Sequence, residues 1–307
     1  MVKNQLIISN NDYYGDFDLN LTINSGQTSQ PPFKYENGTY HEVISIDNEN
    51  ILINLTQNNL NEPLIIDYVC EDYVDEDKLL DKIYYIFDLD YDLNELYNYL
   101  DVNSELNNIY KFNKGLRLFK AQFPYECIMS SICSANNSIK RWTNSIQSIK
   151  ESMGVKVSID DESGFTFPKE ETFLKIPEET LKKFGVGYRS SYMLNSTKKI
   201  LSEKNFHNMI NNMDYNSAFN KIIELEGVGP KVADCILLYG YNKPEAYPVD
   251  VWINRITTYL YFKNQKPSNK KIMNFAQDKF GCYAGYVQLY LFNYARSSGL
   301  MDKLKNI

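Results

Sequence analysis

The chain has 307 residues, 43% hydrophobic and 23% charged, enough for one large core or two modest ones and unlike a disordered chain. No apolar run approaches the roughly 20 residues that span a bilayer, the five widely spaced cysteines suit neither a disulfide framework nor a zinc site, and two histidines argue against an imidazole-based centre. The net charge of −7 hides an asymmetry: residues 1–110 hold 4 basic and 21 acidic side chains, residues 111–307 hold 28 and 18, so the halves carry −17 and +10. Affinity for a polyanion is therefore expected in the second part, with the acidic part facing away from it. The first residues carry no signal-peptide pattern, so a cytoplasmic or nuclear place is the default expectation.

In chain order, Phe17, Leu19, Leu21 and Ile23 alternate with polar residues, which is strand period. Asn37-Gly38 between strand-like segments is a strong hairpin signal, Ile51, Ile53 and Leu55 alternate again, and Leu64 to Ile66 reads as a further strand. A small antiparallel sheet is expected up to about residue 70. From Asp77 to Leu100 the apolar spacing becomes helical amid many carboxylates, a solvated face. Pro124 opens an apolar helix through Cys133, and the polar run Asn136-Asn137-Ser138 that follows reads as a surface loop. The stretch Asp160 to Lys169 reads as a loop.

Two Gly-x-Gly turns stand out. Gly185 and Gly187 precede Tyr188 and Arg189, a weak signal alone. Gly227 and Gly229 separate a helix carrying Phe219, Ile222 and Ile223 from a second one carrying Val232, Ile236 and Tyr239, with Pro230 suited to its first turn. Glycines let the backbone there turn at positive φ, and amides beside a helix N-terminus make a seat for phosphate. Lys231 falls in that first turn, where the helix dipole repels an ammonium and favours the neutral amine a nucleophile needs. Asp250 follows Lys231 by 19 positions and heads another apolar-periodic segment, where it can cap a helix. Near the end, Gln288 and Phe292 are four apart on an apolar helix, thus on one face. Core packing explains Phe292 as well as a binding role does.

Gly227-Val228-Gly229-Pro230-Lys231, then Val232-Ala233-Asp234-Cys235 and Pro248-Val249-Asp250, resembles the helix-hairpin-helix, Gly/Pro…Asp DNA glycosylases, and within them the 8-oxoguanine DNA glycosylase/lyase branch. The likeness runs from about residue 17 to 295. It implies an α+β fold: an N-terminal antiparallel sheet part, residues 1–110, and a helical part, residues 111–307, with the active site between helical subdomains. It implies excision of 8-oxoguanine from duplex DNA by a Schiff-base mechanism with β-elimination, without a cofactor, in a monomer. The family's Ser-Gly-Gln corresponds to Ser25-Gly26-Gln27, whose Gly26 carbonyl would accept the N–H that guanine gains at N7 on oxidation. Asn136 would fill the space of the flipped base, and Arg141 would meet its orphaned partner. Tyr188 would wedge the duplex and Arg189 contact the opposite base. Lys231 would be the nucleophile and Asp250 the stabilising carboxylate. Gln288 would read the edge of the base, with Phe292 and Cys235 on its two faces. Two departures stand out: Thr28-Ser29-Gln30-Pro31-Pro32 replaces an aromatic-basic-aromatic run, and Trp252 stands where eukaryotic relatives carry histidine. The iron–sulfur cysteines of other superfamily members are missing. The alternatives are a glycosylase for another damaged or mismatched purine, and a hairpin protein that binds DNA without catalysis.

Overall fold

The computed structural model describes residues 2–47, 49–160, 162–263 and 265–300. The N-terminal part is built from β1 (Val2–Ile8), α1 (Leu19–Asn24), β2 (Lys34–Glu36), β3 (Thr39–Ile46), β4 (Glu49–Thr56), β5 (Leu64–Cys70) and α2 (Glu76–Phe87). Its strands form one antiparallel sheet in the order β1-β5-β4-β3-β2. Asn37 and Gly38 both take positive φ, 52° and 89°, as the two-residue β2–β3 turn demands. One face of the sheet buries Ile44, Ile53, Leu55 and Ile66 against Leu79, Ile83 and Ile86 of α2.

The remainder is mostly helical. It comprises α3 (Leu93–Asp101), α4 (Asn107–Phe112), α5 (Pro124–Ser134), α6 (Ile139–Met153), β6 (Lys156–Ile159), β7 (Glu162–Phe165), α7 (Glu170–Phe173), α8 (Glu178–Lys183) and α9 (Arg189–Ser202). Then follow α10 (Phe206–Asn212), α11 (Tyr215–Ile222), α12 (Pro230–Tyr241), α13 (Val251–Tyr261), α14 (Asn269–Phe280) and α15 (Ala284–Ser297). At the centre α5 and α12 pack on each other, each buried on almost every side. Such helices are apolar all round because nothing but protein surrounds them.

Three local readings are corrected. Residues 19–24 form helix rather than strand. Asp18 caps it, its Oδ1 accepting from the Leu21 N–H at 2.8 Å, and the buried set is Leu19, Thr22 and Ile23, a helical stripe that includes a threonine. The apolar alternation was real but too short to decide the period. Strand β1 was not foreseen, because it lies at the sheet edge with most of its side chains exposed. The stretch 160–169 is not all loop: β7 pairs with β6, and Val157 and Ile159 cover the second face of the sheet at Val43, Leu52 and Val69. The cores also cross the division at residue 110, since Leu93, Leu96 and Leu100 of α3 belong to the helical core and Phe119 to the sheet core.

A polar seam fastens the two parts. The Arg117 side chain is fully buried and donates to the carbonyls of Asp16 at 3.0 Å, Asp88 at 2.7 Å, Tyr91 at 3.0 Å and Tyr14 at 2.6 Å. Gln27 donates to the Arg117 carbonyl at 2.9 Å and accepts from the Phe119 N–H at 2.9 Å, while Gln30 donates to the Lys120 carbonyl at 2.9 Å. The loop after Gly26 is thereby stitched to segment 117–120 of the helical part.

Glu126, in the first turn of α5, is a buried carboxyl whose Oε1 has no partner, beside the buried Lys150–Glu42 pair. Burial, against the opposing pull of Lys150, pushes its pKa from the ordinary 4.5 up to about 7. A raised folded pKa means that the fold holds the proton more tightly than the unfolded chain does. Stability from this group is therefore full below about 4.5 and is lost as pH rises through about 7. The advantage of Glu126→Gln over the wild type in urea unfolding should accordingly widen between pH 5 and pH 8. A gap that stays constant would show that the carboxyl is not protonated in the fold.

Candidate active site

Helices α11 and α12 form the hairpin expected at Gly227 and Gly229, the first helix ending at Ile222. Gly227 takes φ +80°, and a Cβ there would lie 2.7 Å from the Tyr192 ring, so both backbone and space demand glycine. Gly229 differs from expectation. Its φ of −90° and ψ of 178° are ordinary extended backbone, and nothing lies within 4 Å of where its Cβ would be. What glycine supplies at 229 is an uncovered backbone at the N-cap of α12. Pro230 then starts the helix, and Lys231, in its first turn, is half-buried, whereas Val232 to Tyr241 of α12 are all buried.

Asp250 caps α13: its Oδ1 accepts from the Ile253 N–H at 2.8 Å. Burial raises its pKa above the ordinary 3.8, opposed by that N–H and by the charge of Lys231. The carboxylate is thus partly desolvated and close enough to Lys231 to feel it. Asp234, on α12, lies close to this loop. Its Oδ1 accepts from the Tyr215 hydroxyl at 2.6 Å, its buried Oδ2 has no hydrogen-bond partner, and burial lifts its pKa to about 7 against the pull of Tyr215 and the Tyr247 backbone N–H. One turn of α12 thus carries both the lysine and a carboxyl close to the segment leading to Asp250.

These groups open onto a cleft of about 1180 Å³. Around it the structure gathers Gly26, Asn136, Arg141, Lys231, Cys235, Asp250, Gln288 and Phe292 from five separate stretches of chain. Burial pushes the Cys235 thiol up, although Lys231 and the Thr28 hydroxyl draw it down, so it is a neutral, compact wall. Gln288 donates from Nε2 to the Pro248 carbonyl at 3.1 Å, and its buried Oε1 has no partner. An unsatisfied buried acceptor costs about 1–3 kcal/mol, which a ligand N–H would relieve. Asn136 is exposed in a left-handed conformation, φ 49°, and Arg141 is exposed in the first turn of α6.

Tyr188, Arg189, Gly227 and Gly229 lie off the walls of this cleft. Tyr188 is 57% exposed, as a wedge would be. Arg189 departs from expectation, being 5% exposed. Its Nε donates to the Ala135 carbonyl at 2.8 Å and its Nη2 to that of Asn136 at 2.8 Å, with the plane stacked 4.5 Å from the Tyr188 ring. A planar fork of donors finds more partners in the kinked Asn136 loop than in solvent. In this structure Arg189 is turned inward and braces that loop. Sequence reading missed Thr28, which touches the thiol, and Arg296, which closes the cleft beside Gly26. The second was within reach, because Gln288, Phe292 and Arg296 form one stripe at intervals of four.

Comparison with known proteins shows the family. Residues 129–282 match the HhH-GPD superfamily of base excision DNA repair proteins, and residues 8–128 match the 8-oxoguanine DNA glycosylase N-terminal domain. The chain is 40% identical over 312 aligned residues to a probable N-glycosylase/DNA lyase of Methanothermobacter thermautotrophicus, covering 95% of this chain and 97% of that one. It is 31% identical to the N-glycosylase/DNA lyase of Saccharomyces cerevisiae, over 59% of this chain and 57% of that one. Its fold superposes with a TM-score of 0.82 on the crystal structure of Clostridium acetobutylicum 8-oxoguanine glycosylase/lyase in complex with double-stranded DNA containing cytosine opposite 8-oxoG. The two are 26% identical, with 97% of this chain and 99% of that one covered. This chain belongs to the HhH-GPD superfamily of base excision DNA repair proteins, with the N-terminal domain of its 8-oxoguanine glycosylase branch.

The two hairpin glycines should separate experimentally. Gly227→Ala should lower unfolding stability by about 1–3 kcal/mol, the cost of a forced left-handed residue. Gly229→Ala should leave urea unfolding within about 0.5 kcal/mol of wild type yet weaken binding to duplex DNA. Equal behaviour of the two variants in both assays would remove the distinction.

Proposed function

We propose that the protein excises 8-oxoguanine from duplex DNA and then cleaves the strand by β-elimination, as a repair glycosylase/lyase. The observation that carries this reading is the meeting, on one cleft, of a lysine at a helix start, a capping carboxylate and a base-sized wall. The hairpin amides around Gly227 and Gly229 anchor a phosphate. Asn136 and Arg141 enter the opened base pair, Tyr188 wedges the stack, and Arg189 acts on the opposite base at least through the Asn136 loop it holds. The lesion lies between Cys235 and Phe292, with its pairing edge on Gln288. The Gly26 carbonyl accepts the N7–H that 8-oxoguanine has and guanine lacks.

Lys231, as the neutral amine, attacks C1′ of the flipped nucleotide. A C–N bond to the lysine forms as the glycosidic bond breaks. The electron pair leaves with the base, which takes up a proton. Asp250 lies against the positive charge that builds on the sugar in this step, and a desolvated carboxylate does so more strongly than a hydrated one. Ring opening gives a Schiff base, whose electron withdrawal permits loss of a C2′ proton and departure of the 3′ phosphate. Hydrolysis then returns the amine. No cofactor enters this chemistry. The protein is proposed to act as a monomer. A duplex substrate places the protein with the chromosome, in cytoplasm, nucleoid or nucleus. Among the described residues no helix is long and apolar enough to cross a membrane.

Borohydride trapping on 8-oxoguanine duplex tests the assignment. Wild type should form a covalent adduct and Lys231→Gln none; an adduct with the variant would displace Lys231 as nucleophile. Asp250→Asn keeps an N-cap of similar strength, so its stability should stay within about 0.5 kcal/mol. Its single-turnover excision should nevertheless fall by about 100-fold or more, the usual scale for losing one preorganised electrostatic group. A panel of other damaged purines, better excised than 8-oxoguanine, would reassign the base pocket.

A further inference from the structure

Arg296 lies in the last turn of α15, two turns beyond Gln288 and one beyond Phe292. Its guanidinium reaches out of the helical core to the other wall of the cleft. There Nη2 donates to the carbonyl of Asn24, the last residue of α1, at 2.7 Å. That carbonyl is one of the unsatisfied acceptors at the negative end of a helix, a favourable seat for a cation. Nη1 presses on Gly26 itself: a Cβ on Gly26 would clash with it and stand 2.8 Å from the Ile139 side chain. The guanidinium carbon lies 6.0 Å from the Phe292 ring centre. Burial lowers the pKa of Arg296, so this cation has given up part of its water to be there.

The two pocket walls come from different cores, α1 from the sheet core and α15 from the helical one. The buried Gln27 and Gln30 amides tie the loop after Gly26 to segment 117–120. Before Gly26, Arg296 joins the loop directly to the helix that carries Gln288 and Phe292. Gly26 is thus held from both ends, and with φ +84° it has a backbone free to move if one end is released.

We propose that Arg296 is a positioning residue for lesion specificity: it clamps the Gly26 turn to the α15 wall, fixing the carbonyl that distinguishes 8-oxoguanine from guanine. The proposal rests on the base pocket set out above. A carbonyl discriminates by one hydrogen bond, and that bond is short-ranged. A turn that can swing away discriminates poorly even though every residue of the pocket is present. Cleavage at an abasic site needs Lys231 and Asp250 but presents no base to Gly26, so the clamp should be irrelevant to it.

The experiment compares wild type, Arg296→Met and Arg296→Lys on two duplexes, one with 8-oxoguanine opposite cytosine and one with a preformed abasic site opposite cytosine. Methionine keeps the apolar stem and removes the donors, while lysine restores a cation with a single point of contact. Single-turnover excision of 8-oxoguanine should fall about tenfold in Arg296→Met and recover in part in Arg296→Lys, with abasic-site cleavage within about twofold of wild type in both. In a Lys231→Gln background, the preference in binding for 8-oxoguanine duplex over undamaged duplex should shrink by a similar factor on adding Arg296→Met. Equal losses on both duplexes, as from misfolding or lost DNA binding, would overturn the clamp, and so would unchanged excision and preference. If wild type itself fails to release 8-oxoguanine, the functional reading falls first, a result distinct from any variant effect.

Discussion

The site exists because the sheet part is docked on the helical part by hydrogen bonds that have no water to replace them. Gln27 uses both ends of its amide on the backbone of segment 117–119, and the fully buried Arg117 donates to four carbonyls around it. Buried donors and acceptors of this kind are costly when unpaired, so the docking admits little slippage. Gly26 sits next to the first of these anchors. A loop from the acidic, N-terminal part is thereby held at the rim of a cleft whose chemistry comes from residues more than two hundred positions later.

Within the helical part, the groups proposed to react are placed by helix beginnings. Lys231 stands in the first turn of α12 and Asp250 at the N-cap of α13. Asp234 relates them, since it is on the lysine's helix and feels the backbone N–H of Tyr247, three residues before Asp250. Two environments meet here: Lys231 and Asp250 are half-buried and line the cleft, and Asp234 is fully buried with its carboxyl lifted to about 7. The dry carboxyl lies behind the cleft, and the two wetter groups line it.

Much of this was legible in the sequence for identifiable reasons. The hairpin at Gly227, the two-residue turn at Asn37-Gly38 and the proline starts of α5 and α12 are local events, governed by φ preferences that a residue carries with it. The stripe of Gln288 and Phe292 is likewise a property of one helix. The errors also have reasons. Residues 19–23 satisfied two periods at once, and the Asp18 cap together with burial of Thr22 decided for helix. Strand β7 is four residues long and exists by pairing with β6 against the sheet. Gly229 was expected to turn at positive φ and does not, because Gly227 alone makes the turn. Arg189 was expected to face the opposite base and is occupied by the carbonyls of Ala135 and Asn136.

What the sequence determined by itself was therefore the local elements of the proposed chemistry: a lysine in a first helical turn, an aspartate at a cap, a glycine hairpin and a charge split between two parts. Each depends on a few neighbouring residues and on intrinsic backbone or electrostatic preferences. Only the tertiary structure decided which side chains share a space. Arg296 reaches Gly26 across 270 positions, Thr28 reaches Cys235, and Arg189 turns inward to a loop more than fifty residues earlier. Such contacts follow from how two cores dock and from where buried polar groups find partners, and no spacing within a single segment encodes that.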